Sequence, residues 1–558
     1  MITIRIKKSK FIPDDYSAYV SFPYNEKILK TIQSFKKRSW IKGTKEWEIR
    51  IQDISILLSE FSNMTFNIYG RYVDLSPKTF DLSAYHFKTD CYSHQLDGFK
   101  YGMQHDRWLL GDDQGLGKSK QAIDIAVARK QFQNFKHCLI ICGVNSLKWN
   151  WRNEIKTHSN EDSHILGQKI KRNGQITIGS NKDKLKDIVD LDKISEYFII
   201  TNIETLRDSD IAEEIEHQIE IGNIPMIVVD EMHKSKSTNS IQGKALMKLQ
   251  PDVRIAMTGT PLMNSPLDLY AILKWLGYEK HAFYTFKNYY CVMGGYGGYE
   301  IVGYKHLEEL ESQIQSIMLR RLKKEVLDLP EKTYIDDYVD MLPKQAVIYK
   351  EVKADIKSNI DMISVAPNPL AEMIRLRQAT GYTGILSSEI QCSAKLDRME
   401  DIVADSIANG QQVIVFSNWS QITQVAVEKL QCKCKLGTIT GNTPDVDRQW
   451  IVDEFQDGNI DVLVGTIGAA GTGLTLTAAS VVIMLDEPWN NALKEQAIDR
   501  THRIGQCQNV TIYTIMCKDT IDTKIHELVK RKGELSDQII DQSGHTMTNK
   551  EIAEYLLS

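Results

Sequence analysis

Two short polar segments, each placed directly after an apolar run, contain residue types that suit nucleotide chemistry. The segment 111–119, GDDQGLGKS, follows the run 108–110, WLL, and the segment 230–233, DEMH, follows the run 226–229, MIVV. Apolar runs of this length are typical of buried parallel strands. A glycine-rich turn can surround phosphates with backbone N–H groups. Two carboxylates after a neighbouring strand can bind a metal ion and orient a water molecule. The two segments together predict a site for ATP and Mg²⁺.

In the first segment we expect Gly115 and Gly117 to close the backbone around the phosphates. Lys118 would supply a positive charge and Ser119 a hydroxyl for Mg²⁺. The strict phosphate-loop pattern has Gly six residues before the Lys, and this chain has Asp112 there. On the loop pattern alone, a structural glycine-rich turn is therefore an equal alternative. The DEMH segment favours the functional interpretation.

In the second segment Asp230 is the candidate Mg²⁺ ligand. Glu231 is the candidate residue that orients or deprotonates the attacking water. The alternative is a solvated turn, since carboxylates are common at strand ends. A carboxylate pair after a fully apolar run, in the same chain as a phosphate loop, makes hydrolysis of ATP the better hypothesis.

The composition describes an ordinary soluble globular chain with room for several domains. It has 558 residues, of which 42% are hydrophobic and 25% charged. The apolar runs are far shorter than the ~20 residues of a membrane helix, so no membrane partner is expected. Nine cysteines without a CxxC pair argue against a disulfide framework and a zinc ribbon. The cysteine pattern favours a reducing cytoplasm. The compact single-chain build without zinc modules or long tails is more typical of a bacterium or a phage-infected cell than of a nucleus.

The net charge of −5 does not by itself suggest nucleic acid, but its distribution does. Residues 1–50 contain twelve Lys and Arg against five Asp and Glu. Further basic stretches occur at 320–324, RRLKK, and at 530–532, KRK. Local basic strips are what phosphate binding requires, although solvated surface charge explains such runs equally often.

Short apolar strands alternate with helical patterns in two separate series, which predicts two α/β domains with parallel sheets. The first series includes the runs at 138–141, 198–200 and 226–229. Four runs form the second series, at 413–416, 462–464, 481–485 and 510–515. Between them, residues 264–395 are predicted to be helical insertions and the link between the domains. A last helix is predicted from the capping box Thr548-x-x-Glu551.

The second α/β domain contains a candidate arginine pair. Gln496, Arg500 and Arg503 are spaced i, i+4 and i+7, so a helix would place them on one face. Arginines in a domain that lacks its own phosphate loop suit arginine fingers, which stabilise transition-state charge. The alternative is a surface helix with ion pairs, for example between Asp499 and Arg503.

Taken in order, these motifs resemble those of the Swi/Snf family of superfamily 2 DNA translocases. The resemblance extends from about Gln95 to about Lys532. The segments that carry it are DDQGLGKS (112–119), DEMHKSK (230–236), MTGTPLMN (257–264), LRRLKKEVLDLP (319–330), GAAGTGLTL (468–476) and RTHRIGQ (500–506). It implies two RecA-like lobes with ATP between them, with helical insertions in both.

The resemblance also implies roles for further residues. Gln95 matches the family's adenine-reading glutamine. Gly471, Gly473 and Gln496, together with the two arginines, match the ATP face of the second lobe. The segment 258–260 matches the motif that couples nucleotide state to nucleic acid. The residues that match the family's DNA-backbone contacts are Ser146, Thr201, Ser417, Thr440, Gly441 and Thr466.

Several positions depart from the family pattern without removing a charged catalytic group. His94 stands where the family often has Tyr, Gln114 replaces a common Met, and Thr475 replaces an Asn. Trp151 lies four residues from both Leu147 and Ile155, which favours a core position over a base-stacking platform.

The N-terminal unit resembles, loosely, the accessory domain of the annealing-helicase (HepA-related, or HARP) branch of the family. The residues that carry this likeness are Tyr24, Asn25, Ile28, Phe35, Trp40, Lys45 and Trp47. Basic residues between Lys36 and Lys45 interleaved with Trp40 suit a nucleic-acid surface. The alternative is a small aromatic-cored domain with solvated lysines. We therefore expect an accessory domain at 1–75, a first lobe at 76–333 and a second lobe at 334–558.

These observations predict a monomeric, DNA-dependent ATPase that moves on duplex DNA and remodels branched or forked DNA, as in annealing, fork regression, repair or recombination. Two alternatives stay open. One is an ATP-driven remover of DNA-bound proteins. The other is a nucleotide-gated DNA clamp, which would bind in response to ATP without displacing a third strand.

Overall fold

In the computed structural model the chain divides into two compact units, Met1–Ala84 and Tyr85–Ser558. The structure describes residues 2–8, 16–35, 37–50, 53–61, 64, 66–70, 80–145, 147–170, 176–235, 238–259, 265–294, 300–358, 370–471, 474–489 and 491–538. The first unit ends at Ala84, whereas the sequence predicted an accessory domain that ends at residue 75. The predicted last helix at 548–557 lies outside the described residues.

The N-terminal unit is a five-stranded sheet with two helices. Its strands are β1 (Ile2–Lys8), β2 (Tyr16–Ser21), β3 (Arg38–Ile41), β4 (Glu46–Arg50) and β5 (Phe66–Gly70), and its helices are Glu26–Ser34 and Ile54–Glu60. The strand order is β3-β4-β2-β1-β5, so β3 is an edge strand. The side chain of Asn25 caps the first helix by accepting the N–H groups of Lys27 and Ile28. Ile4, Val20 and Ile32 are among the residues of its core.

The second unit contains two lobes, each built on a parallel sheet. The strands of the first lobe and its extensions are β6 (Arg107–Leu110), β7 (Cys138–Cys142), β8 (Ser163–Ile165), β9 (Gln168–Ile170), β10 (Ile176–Ile178), β11 (Phe198–Asn202), β12 (Met226–Asp230), β13 (Val253–Met257), β14 (Cys291–Gly294), β15 (Glu300–Tyr304) and β16 (Met318–Leu319). Seven of them form one sheet in the order β16-β6-β13-β12-β7-β11-β8. All of its pairings are parallel.

Helices cover this sheet, which explains why its strands are apolar along their whole length rather than in alternation. The helices of the first lobe are Ser93–Gln104, Lys118–Gln133, Leu147–His158, Asn181–Val189, Ser209–Glu220, Ile241–Lys248, Leu269–Leu276, Phe283–Tyr290 and Leu307–Gln315. The core includes Leu109, Ile141, Ile227 and Trp275, all fully or almost fully buried. Part of the region predicted as helical insertion is instead the antiparallel hairpin of β14 and β15, because the valine, isoleucine and tyrosine of these segments favour a strand.

The second lobe has a six-stranded sheet in the order β17-β22-β21-β18-β20-β19, again with parallel pairing throughout. Its strands are β17 (Lys332–Val339), β18 (Gln412–Ser417), β19 (Leu436–Ile439), β20 (Val462–Thr466), β21 (Ala479–Met484) and β22 (Val510–Cys517). Its helices are Pro343–Ser358, Leu370–Gly381, Ala394–Ala408, Ser420–Leu430, Asp445–Gln456, Ile467–Ala470, Asn491–Ile498 and Ile521–Gln538. The predicted fold class, two RecA-like parallel-sheet lobes with helical insertions, is confirmed.

A short linker joins the two sheets. It runs from the end of β16 at Leu319 to the start of β17 at Lys332 and contains the one-turn helix Lys323–Val326. No helix among the residues that the structure describes is long and apolar enough to cross a membrane.

Candidate functional site

The phosphate loop connects the end of β6 to the helix Lys118–Gln133. Gly115 and Gly117 have φ values of +83° and +75°, in the left-handed region that residues with a side chain rarely adopt. This backbone directs the N-terminus of the following helix, with its unpaired N–H groups, toward the loop. Lys118 is the first residue of that helix, and its ammonium donates to the carbonyl oxygens of Asp112 (2.8 Å) and Asp113 (3.1 Å). The loop and its lysine therefore have the geometry of an anion site.

The charges of three carboxylates act on Lys118. Burial lowers the pKa of Lys118 below its usual value, while the charges of Glu231, Asp112 and Asp230 act in the opposite direction. The ammonium is therefore bound to the loop and is attracted by the carboxylate pair of the DEMH segment. Ser119, predicted to bind Mg²⁺, follows directly in the helix and is partly buried.

Asp112, the residue that breaks the strict loop pattern, has a structural role. Its fully buried carboxylate accepts from Arg321, which donates from its backbone N–H (3.1 Å), from Nε (2.9 Å) and from Nη2. Arg321 also donates to Gln121 Oε1 (2.8 Å) and to the carbonyl of His94. The carboxylate at this position therefore ties the loop to the linker between the lobes.

The carboxylate pair lies at the end of β12, beside the loop. Asp230 Oδ2 accepts the indole N–H of Trp151 at 2.9 Å, and Oδ1 accepts the backbone N–H of Glu231 at 2.9 Å. Burial and the neighbouring charge of Glu231 raise the pKa of Asp230 to about 6, so it is mostly ionised at neutral pH. Trp151 is a core residue, 2% exposed, as its spacing predicted. Its bond to Asp230 was not predicted.

Glu231 has a strained backbone, with φ +50°. The two carboxylate oxygens of Glu231 face different residues. Its Oε1 accepts from Gln496 Nε2 of the second lobe at 3.1 Å, and its Oε2 lies 3.2 Å from His233 Nδ1. Oε2 has no hydrogen-bond partner with acceptable geometry among the described residues. This is the arrangement expected of a carboxylate that acts on a water molecule.

His233 connects the carboxylate pair to the next motif. Its Nδ1 lies 3.1 Å from Thr258 Oγ1, and both side chains are buried. Gly259 follows, and a side chain there would meet Gln114 of the phosphate loop, whose Cγ is 2.5 Å from an ideal Cβ. Thr260 lies outside the described residues. The 258–259 segment therefore lies against the phosphate loop and against His233 of the DEMH segment.

Gln95, the candidate adenine-reading residue, is packed under the phosphate loop. Its Nε2 donates to the carbonyl of Leu116 at 3.2 Å, and its Oε1 accepts the backbone N–H of Tyr92 at 3.2 Å. His94 also lies within 3.0 Å of the same Leu116 carbonyl and is 2% exposed. The helix Ser93–Gln104 therefore sets the position of the loop.

The candidate arginines lie past the end of their helix, which corrects one sequence prediction. The helix Asn491–Ile498 stops before Arg500, so Gln496, Arg500 and Arg503 do not share one helix face. The backbone tightens there: the N–H of Arg500 bonds to the carbonyl of Ala497, a three-residue step instead of four. Spacing alone did not show this because the pattern 496–503 continues without a proline or glycine until Gly505.

Both arginines nevertheless lie at the boundary with the first lobe. Arg500 Nη2 donates to Gln114 Oε1 of the phosphate loop at 2.8 Å, and its Nε donates to the carbonyl of Gly471 at 3.1 Å. Burial, and the charge of Arg503, lower the pKa of Arg500 to about 10, so it stays charged. Thr475 Oγ1 accepts from Arg503 Nη1 at 3.0 Å. Gln114 and Thr475, which both depart from the family pattern, are therefore the hydrogen-bond partners of the two arginines.

Gly115 marks where the two lobes meet. An ideal Cβ at this position would lie 2.6 Å from Cβ of Arg503, so only a residue without a side chain allows the approach. Burial lowers the pKa of Arg503 as well. The alternative ion pair between Asp499 and Arg503 is not formed: Asp499 pairs with Lys323 (2.7 Å) and Lys332 (2.8 Å).

Comparison with known families agrees with this geometry. Residues 92–385 match the family described as SNF2-related domain, and residues 394–505 match the helicase conserved C-terminal domain. The chain belongs to the SNF2-related family. The resemblance inferred from its motifs is confirmed.

Relatives of this SNF2-related protein include proteins described as annealing helicases. The DNA annealing helicase and endonuclease ZRANB3 of Mus musculus is 28% identical over 81% of this chain and 41% of its own length. The SWI/SNF-related matrix-associated actin-dependent regulator of chromatin subfamily A-like protein 1 homolog of Caenorhabditis elegans is 27% identical over 93% of this chain and 74% of its own. The SWI2/SNF2 ATPase core of Sulfolobus solfataricus, solved in complex with dsDNA, is 26% identical over 84% of this chain and 96% of that one, with a TM-score of 0.37. The chain spans less than half the length of the mouse protein.

The predicted DNA-contact residues of this SNF2-related chain lie at strand ends. Ser417 ends β18, Thr466 ends β20, and Thr440 directly follows β19. These three strands are neighbours in the second sheet. Thr201 and Ser417 are only 1% exposed, and Ser417 Oγ donates to Asp486 at 2.7 Å. Open space surrounds Gly441, and Ser146 lies outside the described residues, as does Gly473 of the predicted ATP face. DNA contact by these residues stays a prediction.

The basic stretch at 320–324, for which phosphate binding and solvated charge were equal alternatives, is not a continuous solvent-facing strip. Arg321 is bound to Asp112, and Lys323 is 11% exposed in its pair with Asp499. The remaining two cations, Arg320 and Lys324, are exposed. Sequence reasoning missed this because the partners are distant in the chain.

Proposed function

We propose that this chain is an ATP-driven motor on duplex DNA that remodels branched DNA. The observation that carries the proposal is the pair of hydrogen bonds across the lobes, Arg500 to Gln114 and Gln496 to Glu231. Groups from both lobes converge on one site, so the site is complete only when the lobes meet. Such a site couples hydrolysis to lobe movement, which is what a motor requires.

The residues at the site suit ATP and Mg²⁺. Lys118 and the N–H groups of the phosphate loop would hold the β- and γ-phosphates, and Gln95 would read the adenine. Mg²⁺ is usually held by one or two protein side chains together with phosphate oxygens and water. Ser119 and Asp230 would hold it, and it would neutralise charge on the phosphates.

The reaction would be divided between the lobes. Glu231, whose Oε2 makes no hydrogen bond within the described part of the chain, would orient the attacking water and accept its proton. Arg500 and Arg503 would stabilise the charge that develops on the transferred phosphoryl group. Both arginines are partly buried, and a charge with less water around it has a stronger effect on a neighbouring phosphate.

The path from the nucleotide to DNA would begin at Thr258. This residue contacts His233 of the carboxylate segment and precedes Gly259, which packs on Gln114. A change at the phosphates would therefore move the 258–259 segment. The DNA backbone would be bound at the carboxyl ends of the strands, by Thr440, Gly441 and Thr466 of the second lobe, which are not buried.

The decisive experiment compares ATPase stimulation by single-stranded, duplex and forked DNA and adds a triplex-displacement assay. We expect duplex and forked DNA to stimulate hydrolysis, and we expect a third strand to be displaced in an ATP-dependent manner. Stimulation and ATP-dependent binding without displacement would indicate a DNA clamp instead. No hydrolysis with any DNA would refute the proposal.

The N-terminal unit supports a role on branched DNA. Arg38 and Trp40 are both exposed and lie on the same face of the edge strand β3. Trp40 is 47% exposed, and its ring lies 5.3 Å from that of Trp47. Lys37, Lys42 and Lys45 are exposed nearby in sequence. Aromatic rings beside cations suit unpaired bases at a branch point, where stacking contributes roughly 1–3 kcal/mol per base.

Removing this unit should change DNA preference rather than catalysis. We expect deletion of Met1–Ala84 to leave basal ATPase activity within about twofold, because the nucleotide site lies in the other compact unit. We expect the deletion and the double variant Arg38→Ala/Trp40→Ala to weaken forked-DNA binding by roughly 10-fold or more, from the loss of one stacked base. Fluorescence anisotropy with forked and linear duplex DNA measures both. Ile56→Ala, an exposed apolar residue of the same unit, is the control, and an unchanged fork preference in the double variant would remove the assigned role.

A further inference from the structure

The linker between the lobes runs beside the phosphate loop. Backbone N–H groups of Leu109, Gly111 and Asp113 donate to the carbonyls of Ile317, Leu319 and Arg321, each at 2.8 to 3.0 Å. The pairing of β6 with β16 therefore continues past the strand ends and along the loop. The linker and the loop are therefore joined by backbone hydrogen bonds as far as Asp113.

Lys323 connects this hydrogen-bonded segment to the second lobe. Its backbone N–H donates to Asp113 Oδ2 at 3.1 Å. The ammonium donates to the carbonyl of His502 at 2.7 Å and pairs with Asp499 at 2.7 Å. One residue therefore joins the phosphate loop, through its main chain, to the turn that contains the arginines, through its side chain.

The residues that the linker contacts in the second lobe lie directly before each of the two arginines. Asp499 directly precedes Arg500, and His502 directly precedes Arg503. Lys332, at the far end of the linker, shares the Asp499 carboxylate at 2.8 Å, and His502 Nε2 lies 2.7 Å from the carbonyl of Pro330. The arginine turn is thus held by both ends of the linker.

The charges around Lys323 make this contact a strong one. Burial lowers the pKa of Lys323 to about 8, and the positive charge of Lys332 acts in the same direction. The negative charges of Asp499 and Asp113 oppose this and raise the pKa. Burial alone would raise the pKa of Asp499, but Lys323 and Lys332 hold it below its usual value. A mostly charged lysine and a fully charged aspartate therefore face each other with little water between them, where the attraction exceeds that of a surface pair.

We propose that Lys323 is a positioning residue for ATP hydrolysis: with Asp499 it sets the Arg500–Arg503 turn over the phosphate loop when the lobes close. The inference rests on the proposed ATPase function. Lys323 contacts neither the phosphates nor DNA in this role. It transmits the position of the phosphate loop to the arginines, and an arginine displaced by about 1 Å can cost roughly 100-fold in rate.

Steady-state ATPase kinetics of Lys323→Met test the proposal. This change keeps the aliphatic stem and removes the charge. We expect kcat to fall about 10- to 100-fold while KM for ATP changes by less than about threefold, since the groups that bind ATP are untouched. Lys130→Met, which removes a pair with Glu161 elsewhere in the first lobe, is the matched control and should retain wild-type kcat.

A double variant separates positioning from a general loss of structure. If Lys323 acts through the arginine, Lys323→Met added to Arg500→Ala should slow the enzyme little beyond Arg500→Ala alone. Multiplying losses would overturn the proposal, as would an unchanged kcat in Lys323→Met. Thermal unfolding identifies a folding defect, and in that case Lys323→Gln, which keeps a donor for the His502 carbonyl, is expected to give the same kcat loss. A wild-type chain without ATPase activity would refute the proposed function itself, whereas an active wild-type chain with an unaffected Lys323→Met refutes only this inference.

Discussion

Replacing Glu231 with Gln is expected to lower ATP hydrolysis by at least 100-fold while ATP still binds. The amide has the same shape and can still bond to Gln496, but it cannot accept a proton from water. General-base catalysis typically contributes 10²- to 10⁴-fold in rate, so the residual activity should lie near the background. Phosphate release measures the turnover, and a fluorescent ATP analogue measures the binding.

The matched control for this variant is Glu161→Gln. Glu161 lies in the same lobe and pairs with Lys130, so its change should leave turnover intact. Lys118→Ala provides the complementary result, a loss of both ATP binding and turnover, because its ammonium lies on the phosphate loop. Turnover retained in either Glu231→Gln or Lys118→Ala would refute the assignment of the site.

Removing the guanidinium groups should affect rate far more than binding. We expect Arg503→Ala and Arg500→Ala each to reduce turnover by roughly 10³-fold, at the lower end of what arginine fingers contribute, with ATP affinity changed less than tenfold. The reason is that transition-state charge develops only during hydrolysis, and both residues lie beside the phosphate loop: the Arg500 guanidinium contacts Gln114, and Cβ of Arg503 lies against Gly115.

Two comparisons make this result specific. Arg375→Ala removes an exposed arginine of the second lobe that pairs with Asp355, and it should have no effect. Gln114→Ala removes the acceptor of Arg500 without removing its charge, so it should cost much less than Arg500→Ala. Equal losses of binding and turnover in the arginine variants would argue against a finger role.

The parts of this fold that were predictable are those in which a local pattern has one explanation. Runs such as 138–141 and 226–229 are apolar on both faces because helices cover the sheet, and each forms a strand. The glycines of the phosphate loop have the left-handed backbone that such a loop requires, and the order of the motifs predicted the family. In these cases, residues close in sequence determine the structure.

Other features depend on contacts between residues far apart in the chain. Nothing in the pattern 496–503 indicates that the helix stops at Ile498, and nothing near Lys323 indicates that its partner is Asp499. Thr201 and Ser417 match DNA-contact positions by motif, yet their burial depends on neighbouring strands. Gln114 was noticed only as a departure from the family, and its partner Arg500 gives that departure a physical reason.

The buried contact between Asp112 and Arg321 has an evolutionary consequence. Loss of either residue alone would leave a charge without its partner in the interior, at a cost of roughly 3–5 kcal/mol. Substitution therefore cannot proceed through one position at a time without weakening the fold. The acid at the start of the loop and the base after β16 should be inherited, or replaced, together in descendants of this sequence.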